Sequence, residues 1–414
     1  MLAEILSTGN EVLSGTIVDS NAAFIASRLE ESGLEVRRHT CVGDDIDHIA
    51  ASVKEIAART DIAIITGGLG PTGDDLTAEA VARAAGVGLT IDEAARASME
   101  SFFVKRGLPV RPTDPKQAML PRGAVCLPNN VGSAPGFCLI VDRCRVYVMP
   151  GVPFEMEIMM DQAVLPDIQR HRGEPSQAVS RTLSLFGLPE SEVGRLIAGI
   201  PEAFPGIRYG IRVSFPEIFV KISSRGQHRP AVESLVDEAA RWARQTIGVG
   251  VFSDQGLSLP EETGRLLTEK NKTVAIAESC TGGLIGHLLT NNPGSSDYFL
   301  LSAVTYSNAA KTAVLKVPEE IIARHGAVSE ETAQAMAAGV RQQSGADLGL
   351  AVSGIAGPAG GSADKPVGTV CIGLASPAGV TARRLTLSFQ NRSMNKRFFA
   401  FVALEMLRRQ LLEP

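Results

Sequence analysis

Residues 61–86, DIAIITGGLGPTGDDLTAEAVARAAG, place a short apolar run before a glycine-rich turn and an amphipathic stretch with helical spacing. The run at 62–66 has the length and the β-branched content of a buried strand. The same alternation extends toward the N-terminus, with predicted strands at 3–6 and 34–42 and predicted helices at 21–33 and 46–59. Strands that alternate with helices predict a parallel sheet with helices on both faces.

A second alternation of this kind occupies the C-terminal part of the chain. The segment TVAIAE at 273–278 predicts a buried strand, and a helical segment, further strands and a final helix to about 411 follow it. Between the two alternations, 171–252 has the pattern of a small α+β module. We therefore predict two three-layer α/β domains, at 1–170 and 253–414, joined by the module at 171–252.

Composition and charge exclude several classes of protein. The 414 residues carry 40 Lys+Arg against 45 Asp+Glu, a formal net charge of −5, so no global positive field favours nucleic acid or an anionic membrane. The six cysteines form no C-x-x-C pair, which argues against structural zinc and favours a reducing, cytoplasmic location. No apolar stretch is long enough to span a membrane. The first residues, with Glu4 and no basic segment, do not resemble a secretory signal.

The turn that follows the strand at 62–66 has the composition of a phosphate site. Gly67, Gly68 and Gly70 allow close approach of phosphate oxygens, and the amides of the next helix would add donors. Asp74 and Asp75 would repel a bare diphosphate, so this interpretation requires a divalent cation between carboxylate and phosphate. The alternative is a tight strand-to-helix turn in which an aspartate caps the helix.

Other polar segments follow neighbouring predicted strands and should meet this turn at one edge of the sheet. They are Thr8, Gly9, Asn10 and Glu11, then Asp19 to Asn21, and Gly43 to Asp45. Together these segments resemble the molybdopterin-binding-like domain of molybdenum cofactor biosynthesis proteins. Two further segments, NVGSAPG at 130–136 and MPGVPFEM at 149–156, make the resemblance more specific. With them, the sequence resembles the CinA family, named for competence and damage inducibility.

The resemblance implies a metal-dependent hydrolysis of ADP-ribose to AMP and ribose 5-phosphate in this domain. The metal would be Mg, Mn or Co, held by carboxylates chosen from Asp44, Asp74, Asp75 and Glu155. Each of these acids could instead be a cap or a solvated surface group. The nucleotide would contact the polar and glycine residues at this edge, which are Thr8, Gly9, Asn10, Glu11, Asn21, Gly67, Gly68, Gly70 and Ser133.

In the C-terminal domain, Ser279 lies at a predicted strand-to-helix turn, the position of a nucleophile with backbone N–H groups nearby. A buried lysine such as Lys311 can act as general base without a histidine. The alternatives are that Ser279 or Thr281 caps the helix and that Lys311 is a solvated helix residue. Cys280 has no suitably placed histidine, so we interpret it as a packing residue.

Four segments, AESCTGG, TYSNAAK, HGAVSE and SGIAGPAGG, resemble the C-terminal CinA domain, a nicotinamide mononucleotide (NMN) amidohydrolase. The resemblance implies conversion of NMN and water to nicotinate mononucleotide and ammonia, with no metal or cofactor. It implies that Ser279 is the nucleophile, Lys311 the base and Tyr306 a partner that positions or shares the proton. Substrate would contact Gly282, Gly283, Ser353, Gly354, Gly357 and Arg392, the last through its phosphate. Around this arginine the sequence departs from the family pattern, because residues 390–392 are Gln-Asn-Arg where the family has Gly-Asp-Arg.

The module at 171–252 resembles the KH-like linking domain of long CinA proteins, which raises RNA binding as an alternative. KH domains need a G-x-x-G loop, whereas Gly206 and Gly210 have three residues between them. We therefore favour a structural or dimerising role, expect a homodimer, and do not expect nucleic acid as a partner. Trp242 is predicted to be a core residue. The competing hypothesis for the whole chain is a non-catalytic competence or DNA-damage factor with nucleotide pockets.

Overall fold

The computed structural model describes residues 1–109, 114–171, 177–387, 389 and 391–413. Two compact units divide the chain, one formed by 1–180 with 224–234 and the other by 181–223 with 235–414. Each unit has its own hydrophobic core. Both are α/β in class, as the sequence predicts.

The first unit is built on a six-stranded sheet of order β2-β1-β3-β8-β7-β6. The strands are β1 Leu2–Thr8, β2 Glu35–Val42, β3 Ile62–Thr66, β4 Leu89–Ile91, β5 Met119–Pro121, β6 Val125–Leu127, β7 Gly136–Val141 and β8 Cys144–Met149, with β4 and β5 forming a separate pair. The helices are α1 Asn10–Leu13, α2 Ser20–Glu31, α3 Ile46–Arg59, α4 Thr77–Ala84, α5 Glu93–Lys105, α6 Pro153–Met159 and α7 Leu165–His171. A 3₁₀ turn spans Asp114–Ala118.

The predicted strands of this sheet pair in parallel, but the sheet is antiparallel at one edge. β1, β2, β3 and β8 pair in parallel, but β7 is antiparallel to both β8 and β6. A two-residue turn joins β7 to β8, with Asp142 in the left-handed region at φ 53. Such a turn returns the chain directly to the neighbouring strand, so no crossover helix is needed.

Helices cover both faces of this sheet. Successive residues of a strand point to opposite sides, so each strand contributes apolar side chains to both faces. Ile5 and Ile64 are fully buried in the cluster that includes α2, whereas Leu6 and Ile65 belong to the cluster that includes α3 and α4. The three-layer arrangement leaves the carboxyl ends of the parallel strands at one open edge.

The segment from 177 to 253 forms a four-stranded sheet of order β10-β11-β9-β12 with helices. Its elements are β9 Gln177–Phe186, α8 Glu190–Ile197, α9 Ile200–Ala203, β10 Arg208–Ser214, β11 Glu217–Gly226, α10 Arg229–Ile247 and β12 Val251–Ser253. Gly210 lies inside β10, so Gly206 and Gly210 do not enclose a single loop. Trp242 is half-buried and contacts Phe204 edge-on, with ring centroids 6.2 Å apart.

The second unit contains a five-stranded sheet of order β14-β13-β15-β16-β17. Its strands are β13 Val274–Glu278, β14 Phe299–Val304, β15 Leu348–Gly354, β16 Thr369–Ser376 and β17 Gly379–Thr386. Its helices are α11 Leu259–Glu269, α12 Leu284–Thr290, α13 Asn308–Leu315, α14 Glu319–His325, α15 Glu330–Ser344 and α16 Arg392–Leu412. The first three strands are parallel and the last two form an antiparallel hairpin. Within the described part of the chain, no helix is both long and apolar enough to cross a membrane.

Candidate active sites

Ser279 follows directly on β13 and opens a tight turn into α12. Gly282 and Gly283 take φ values of 65 and 95, a region that glycine adopts without strain. Helix α12 begins after Gly283 with no side-chain cap, so neither alternative for Ser279 or Thr281 as a helix cap holds. The position of Ser279 in this turn is therefore not explained by helix capping.

The fully buried carboxylate of Glu278 fixes this turn. It accepts hydrogen bonds from the amides of Gly283 at 2.9 Å, Ile285 at 3.2 Å and Gly286 at 2.9 Å. Three amides around the start of α12 are therefore occupied by the protein itself. In the turn and the first residues of α12, the amides of Cys280, Thr281 and Leu284 have no hydrogen-bond partner within the described residues, and the first two immediately follow the serine.

Lys311 reaches the same point from α13. Its side chain is only 1% exposed, and its Nζ lies 3.1 Å from Ser279 Oγ. The same amine donates to the carbonyl of Thr305 at 2.9 Å and to that of Tyr306 at 3.5 Å. Burial lowers the pKa of Lys311 because desolvation disfavours the charged form. The structure thus excludes a solvated lysine at this position.

The protonation state of the Lys311 amine determines whether it can act as a base toward Ser279. A neutral lysine has two hydrogens, which the two carbonyls can accept, and its lone pair then faces Ser279 Oγ. In that state the amine can remove the hydroxyl proton as the oxygen becomes a nucleophile. Cys280, by contrast, is buried, which raises its thiol pKa to about 12, so its interpretation as a packing residue agrees with the structure.

Tyr306 does not occupy the predicted position beside the proton. Its side chain is exposed and its hydroxyl accepts a hydrogen bond from Arg392 at 3.0 Å, whereas only its backbone carbonyl contacts Lys311. Arg392 also donates to the carbonyl of Gly357 at 2.7 Å. The tyrosine side chain therefore orients the arginine, not the base.

A basic groove of about 630 Å³ lies beside the serine turn. Its described lining contains no acidic side chain and consists of Thr281, Gly282, Gly283, Leu284, His287, Arg392, Ser393, Lys396 and Arg397. Three side chains of fixed positive charge around two glycines can hold a phosphate. Arg392, Gly282 and Gly283 are therefore together at this groove, as predicted.

Ser353, Gly354 and Gly357 do not line the groove. Ser353 is 1% exposed and donates to the carbonyl of Ala327 at 2.6 Å. A Cβ on Gly354 would lie 2.7 Å from the carbonyl oxygen of Thr369, so this glycine permits close packing of the backbone. Ser353 and Gly354 thus hold the loops near the site together, and Gly357 accepts from Arg392. Their contact with substrate stays a prediction.

The first unit has a separate cavity of about 540 Å³ at the carboxyl edge of its sheet, here called the acidic cavity. Every residue predicted for this site lines it except Asn10. Asn10 instead exchanges hydrogen bonds with Asp44, its amide donating to the carboxylate at 3.0 Å. The strand ends therefore converge as the sequence indicates.

The acidic cavity is named for its charge. Six carboxylates line it, those of Glu11, Asp19, Asp44, Asp74, Asp75 and Glu155, and among the residues that the structure describes no lysine, arginine or histidine does. Coulomb repulsion would keep a bare phosphate out of such a space. An anionic ligand can enter only with cations.

Three different residues, Thr72, Asn10 and Asn129, hydrogen-bond to the four predicted metal ligands. Asp74 and Asp75 both accept from the hydroxyl of Thr72, which lowers the pKa of Asp74. Glu155 accepts from Asn129, and burial raises its pKa. Among the described residues, no three acidic, histidine or cysteine side chains lie close enough to enclose an ion. The acids fit a cation whose shell is completed by ligand phosphates and water, as is usual for Mg²⁺.

Sequence reasoning missed Gln117, which also lines the acidic cavity. It comes from the 3₁₀ turn Asp114–Ala118, away from every glycine motif. Its side-chain oxygen is buried with no hydrogen-bond partner among the described residues, as are Ser7 Oγ and Asn21 Oδ1 in the same wall. No sequence pattern could have singled it out.

Comparison with known proteins shows which families the two parts of the chain resemble. Residues 257–411 match the family model of the CinA C-terminal domain, and 4–170 match that of a probable molybdopterin binding domain. A CinA-like protein of Desulfosudis oleivorans is 60% identical over 413 residues, which cover 100% of both chains. One of Desulforapulum autotrophicum is 46% identical over 417 residues, covering 100% of this chain and 99% of the other. The crystal structure of the competence/damage inducible protein CihA from Agrobacterium tumefaciens is 40% identical, with a TM-score of 0.36, over 38% of this chain and 98% of that one.

Proposed function

The chain belongs to the CinA family, and from this premise we propose that its second unit hydrolyses the carboxamide of NMN to nicotinate mononucleotide and ammonia. The observation that carries the proposal is the 3.1 Å contact between Ser279 Oγ and the buried Lys311 Nζ. Such a pair can cleave an amide without histidine, metal or cofactor. We further propose a cytoplasmic location, where the six unpaired cysteines would stay reduced.

In this proposal Ser279 Oγ attacks the carboxamide carbon while neutral Lys311 takes the hydroxyl proton. The oxygen that becomes negative is stabilised by the free amides of Cys280 and Thr281. Collapse of this tetrahedral adduct breaks the carbon–nitrogen bond. Lys311 returns the proton to the leaving amide nitrogen, which departs as ammonia. Water then attacks the resulting ester of Ser279, with Lys311 again as base, to release the nicotinate carboxylate.

The first experiment is direct. Purified protein is incubated with NMN and a chelator, and both ammonia and nicotinate mononucleotide are measured. We expect the two products in equal amounts. The absence of both would overturn the proposal for this unit.

The basic groove supplies the phosphate contact, and Arg392 is the residue to test. Arg392→Ala should raise KM for NMN by about 10- to 100-fold and lower kcat less, because the lost contact exists before and during the reaction. The matched substrate is nicotinamide riboside, which lacks the phosphate and should react equally slowly with both proteins. A variant that loses kcat at unchanged KM would contradict the assignment.

A second function is favoured by the charge of the acidic cavity. We propose that the first unit hydrolyses the diphosphate of ADP-ribose to AMP and ribose 5-phosphate. Six carboxylates, with no basic lining residue among those the structure describes, suit a diphosphate that arrives with divalent cations. A bound cation would neutralise the phosphate oxygens and activate water, and it would be held by carboxylates from Asp44, Asp74, Asp75 and Glu155, with ligand phosphates and water completing its shell.

Removal of metal should separate the two activities. EDTA is expected to lower ADP-ribose hydrolysis by about 10²-fold or more, and Mg²⁺ or Mn²⁺ should restore it. NMN turnover in the same preparation should stay unchanged, since no acidic side chain lines the basic groove. ADP-ribose hydrolysis that persists in EDTA would count against the metal-dependent mechanism.

A further inference from the structure

The turn between β10 and β11 reaches a residue of the basic groove. It consists of Phe215 and Pro216, since Ser214 ends β10 and pairs with Glu217 at the start of β11. The backbone carbonyl of Phe215 accepts a hydrogen bond of 2.5 Å from Nε of Arg397, one of the cations that line the groove. The segment at 177–253 therefore touches a groove residue, although none of its residues is in the described lining.

The ring of Phe215 packs against α16 and against the loop that precedes it. It lies edge-on to Phe389, in that loop, with ring centroids 5.4 Å apart, and 6.0 Å from Phe398, on α16 itself. Phe389 and Phe398 are 5.5 Å apart, so the three rings contact one another in pairs. All three distances are typical of favourable aromatic pairs. Because Phe398 follows Arg397 in α16, these rings fix the backbone on both sides of the hydrogen bond between Arg397 and Phe215.

Glu217 anchors the same hairpin a second time. This residue is 3% exposed, and its carboxylate accepts a hydrogen bond of 2.7 Å from the amide of Leu259, the first residue of α11. Movement of the hairpin away from α11 would leave a buried carboxylate and a buried amide without partners, which is costly. The carbonyl of Phe215 is therefore an acceptor at a fixed place.

The hydrogen bond to Phe215 leaves the outer edge of the Arg397 guanidinium available. Nε is the nitrogen that donates, and within the described part of the chain neither terminal nitrogen has a hydrogen-bond partner. By contrast, both terminal nitrogens of Arg392 already donate to protein acceptors, the carbonyl of Gly357 and the hydroxyl of Tyr306. Two free terminal nitrogens can bind a phosphate bidentately. A guanidinium whose direction is fixed in advance also loses less entropy when the phosphate binds.

We propose that the β10–β11 turn is a positioning element of the deamidase site, in which Phe215 holds Arg397 in the direction that binds the substrate phosphate. The inference rests on the proposed hydrolysis of NMN for the identity of the ligand, but it concerns binding and is tested without turnover. Phe215 contacts no substrate in this assignment. It acts only through Arg397, so its loss should weaken ligands that carry a phosphate and no others.

The probes are NMN and nicotinamide riboside, titrated calorimetrically into the full-length protein carrying Ser279→Ala to prevent turnover. They differ by the phosphate alone. Phe215→Ala should weaken NMN binding by about tenfold and leave riboside binding within about twofold, because only the phosphate contact is misplaced. The matched control is Phe204→Ala, which removes a half-buried phenylalanine of the same segment where it packs on Trp242. It should change neither affinity.

A double-mutant cycle tests whether the turn acts through the arginine. Arg397→Met should weaken NMN binding by about tenfold, and Phe215→Ala added to it should weaken binding by less than about twofold more. Fully additive losses, equal weakening of both ligands, or unchanged NMN binding in Phe215→Ala would overturn the inference. If the wild-type protein released no ammonia from NMN while the phosphate-dependent effect of Phe215→Ala was present, the deamidase would be rejected and the positioning role would stand.

Discussion

Replacing Ser279 with alanine is expected to lower the kcat for NMN by at least about 10³-fold, the scale of loss of a nucleophile that forms a covalent intermediate. The hydroxyl has one close side-chain partner, Lys311, and it caps no helix. Its removal should therefore leave the fold intact. The measurement is steady-state release of ammonia, with the thermal midpoint of each protein recorded beside it.

Ser296→Ala is the matched control, because this serine is exposed in the same unit and lies outside the groove. It should keep wild-type turnover. Nicotinoyl ester trapped by acid quench and detected as a mass increase on Ser279 would add direct support. If Ser279→Ala retained more than about a tenth of the wild-type rate, attack by water on the amide would replace the covalent route.

The position of this nucleophile could be predicted from the sequence because it depends on a local pattern, a strand followed by a tight turn and a helix. A buried run such as Val274–Glu278, followed by small residues and an apolar helix, has few ways to fold. Parallel strands bring their carboxyl ends to one edge, which is why residues as distant as Ser279 and Lys311 could be expected to meet. The same rule gathered much of the predicted lining of the acidic cavity, because Thr8 to Glu11, Asp44, Gly67 to Asp75 and Glu155 follow the parallel strands β1, β2, β3 and β8.

What the sequence could not provide is the direction of individual side chains. The amides of α12 are equally suited to an internal carboxylate or to a ligand, and only the structure shows that Glu278 takes them. The hydroxyl of Tyr306 bonds to Arg392, from a helix 86 residues further along the chain. Gln117 lies in a short 3₁₀ turn with no periodic signal. Such contacts depend on tertiary packing, which local patterns do not encode.

The two sites also differ in charge far more than the net charge of −5 suggests. Within the described residues, one is lined by six carboxylates with no cation and the other by Arg392, Lys396 and Arg397 with no acid. Both ligands proposed are anionic nucleotides. The acidic cavity can hold one only together with divalent cations, whereas the basic groove holds the other directly, so metal supply would control one activity and spare the other.

Lys311→Met should abolish NMN turnover about as completely as Ser279→Ala, because both changes remove one half of the same pair. Methionine is close to lysine in length and suits a site that is 1% exposed, so the protein should stay folded. Lys311→Arg should be equally inactive, since a guanidinium does not lose its proton in proteins. Lys270→Met, at an exposed lysine of the same unit, is the control and should keep full activity.

The pH dependence distinguishes a base from a lysine that merely binds substrate. Burial lowers the pKa of Lys311 from its ordinary 10.5, and the neutral form that removes the serine proton predominates above the shifted value. We therefore expect kcat/KM to be low at acidic pH and to rise to a plateau with a midpoint below 10.5. A lysine that served as a cation toward the substrate would give the reverse, with kcat/KM falling as the proton is lost. A falling profile, or an active Lys311→Arg protein, would assign the proton transfer elsewhere and leave Lys311 with electrostatic binding alone.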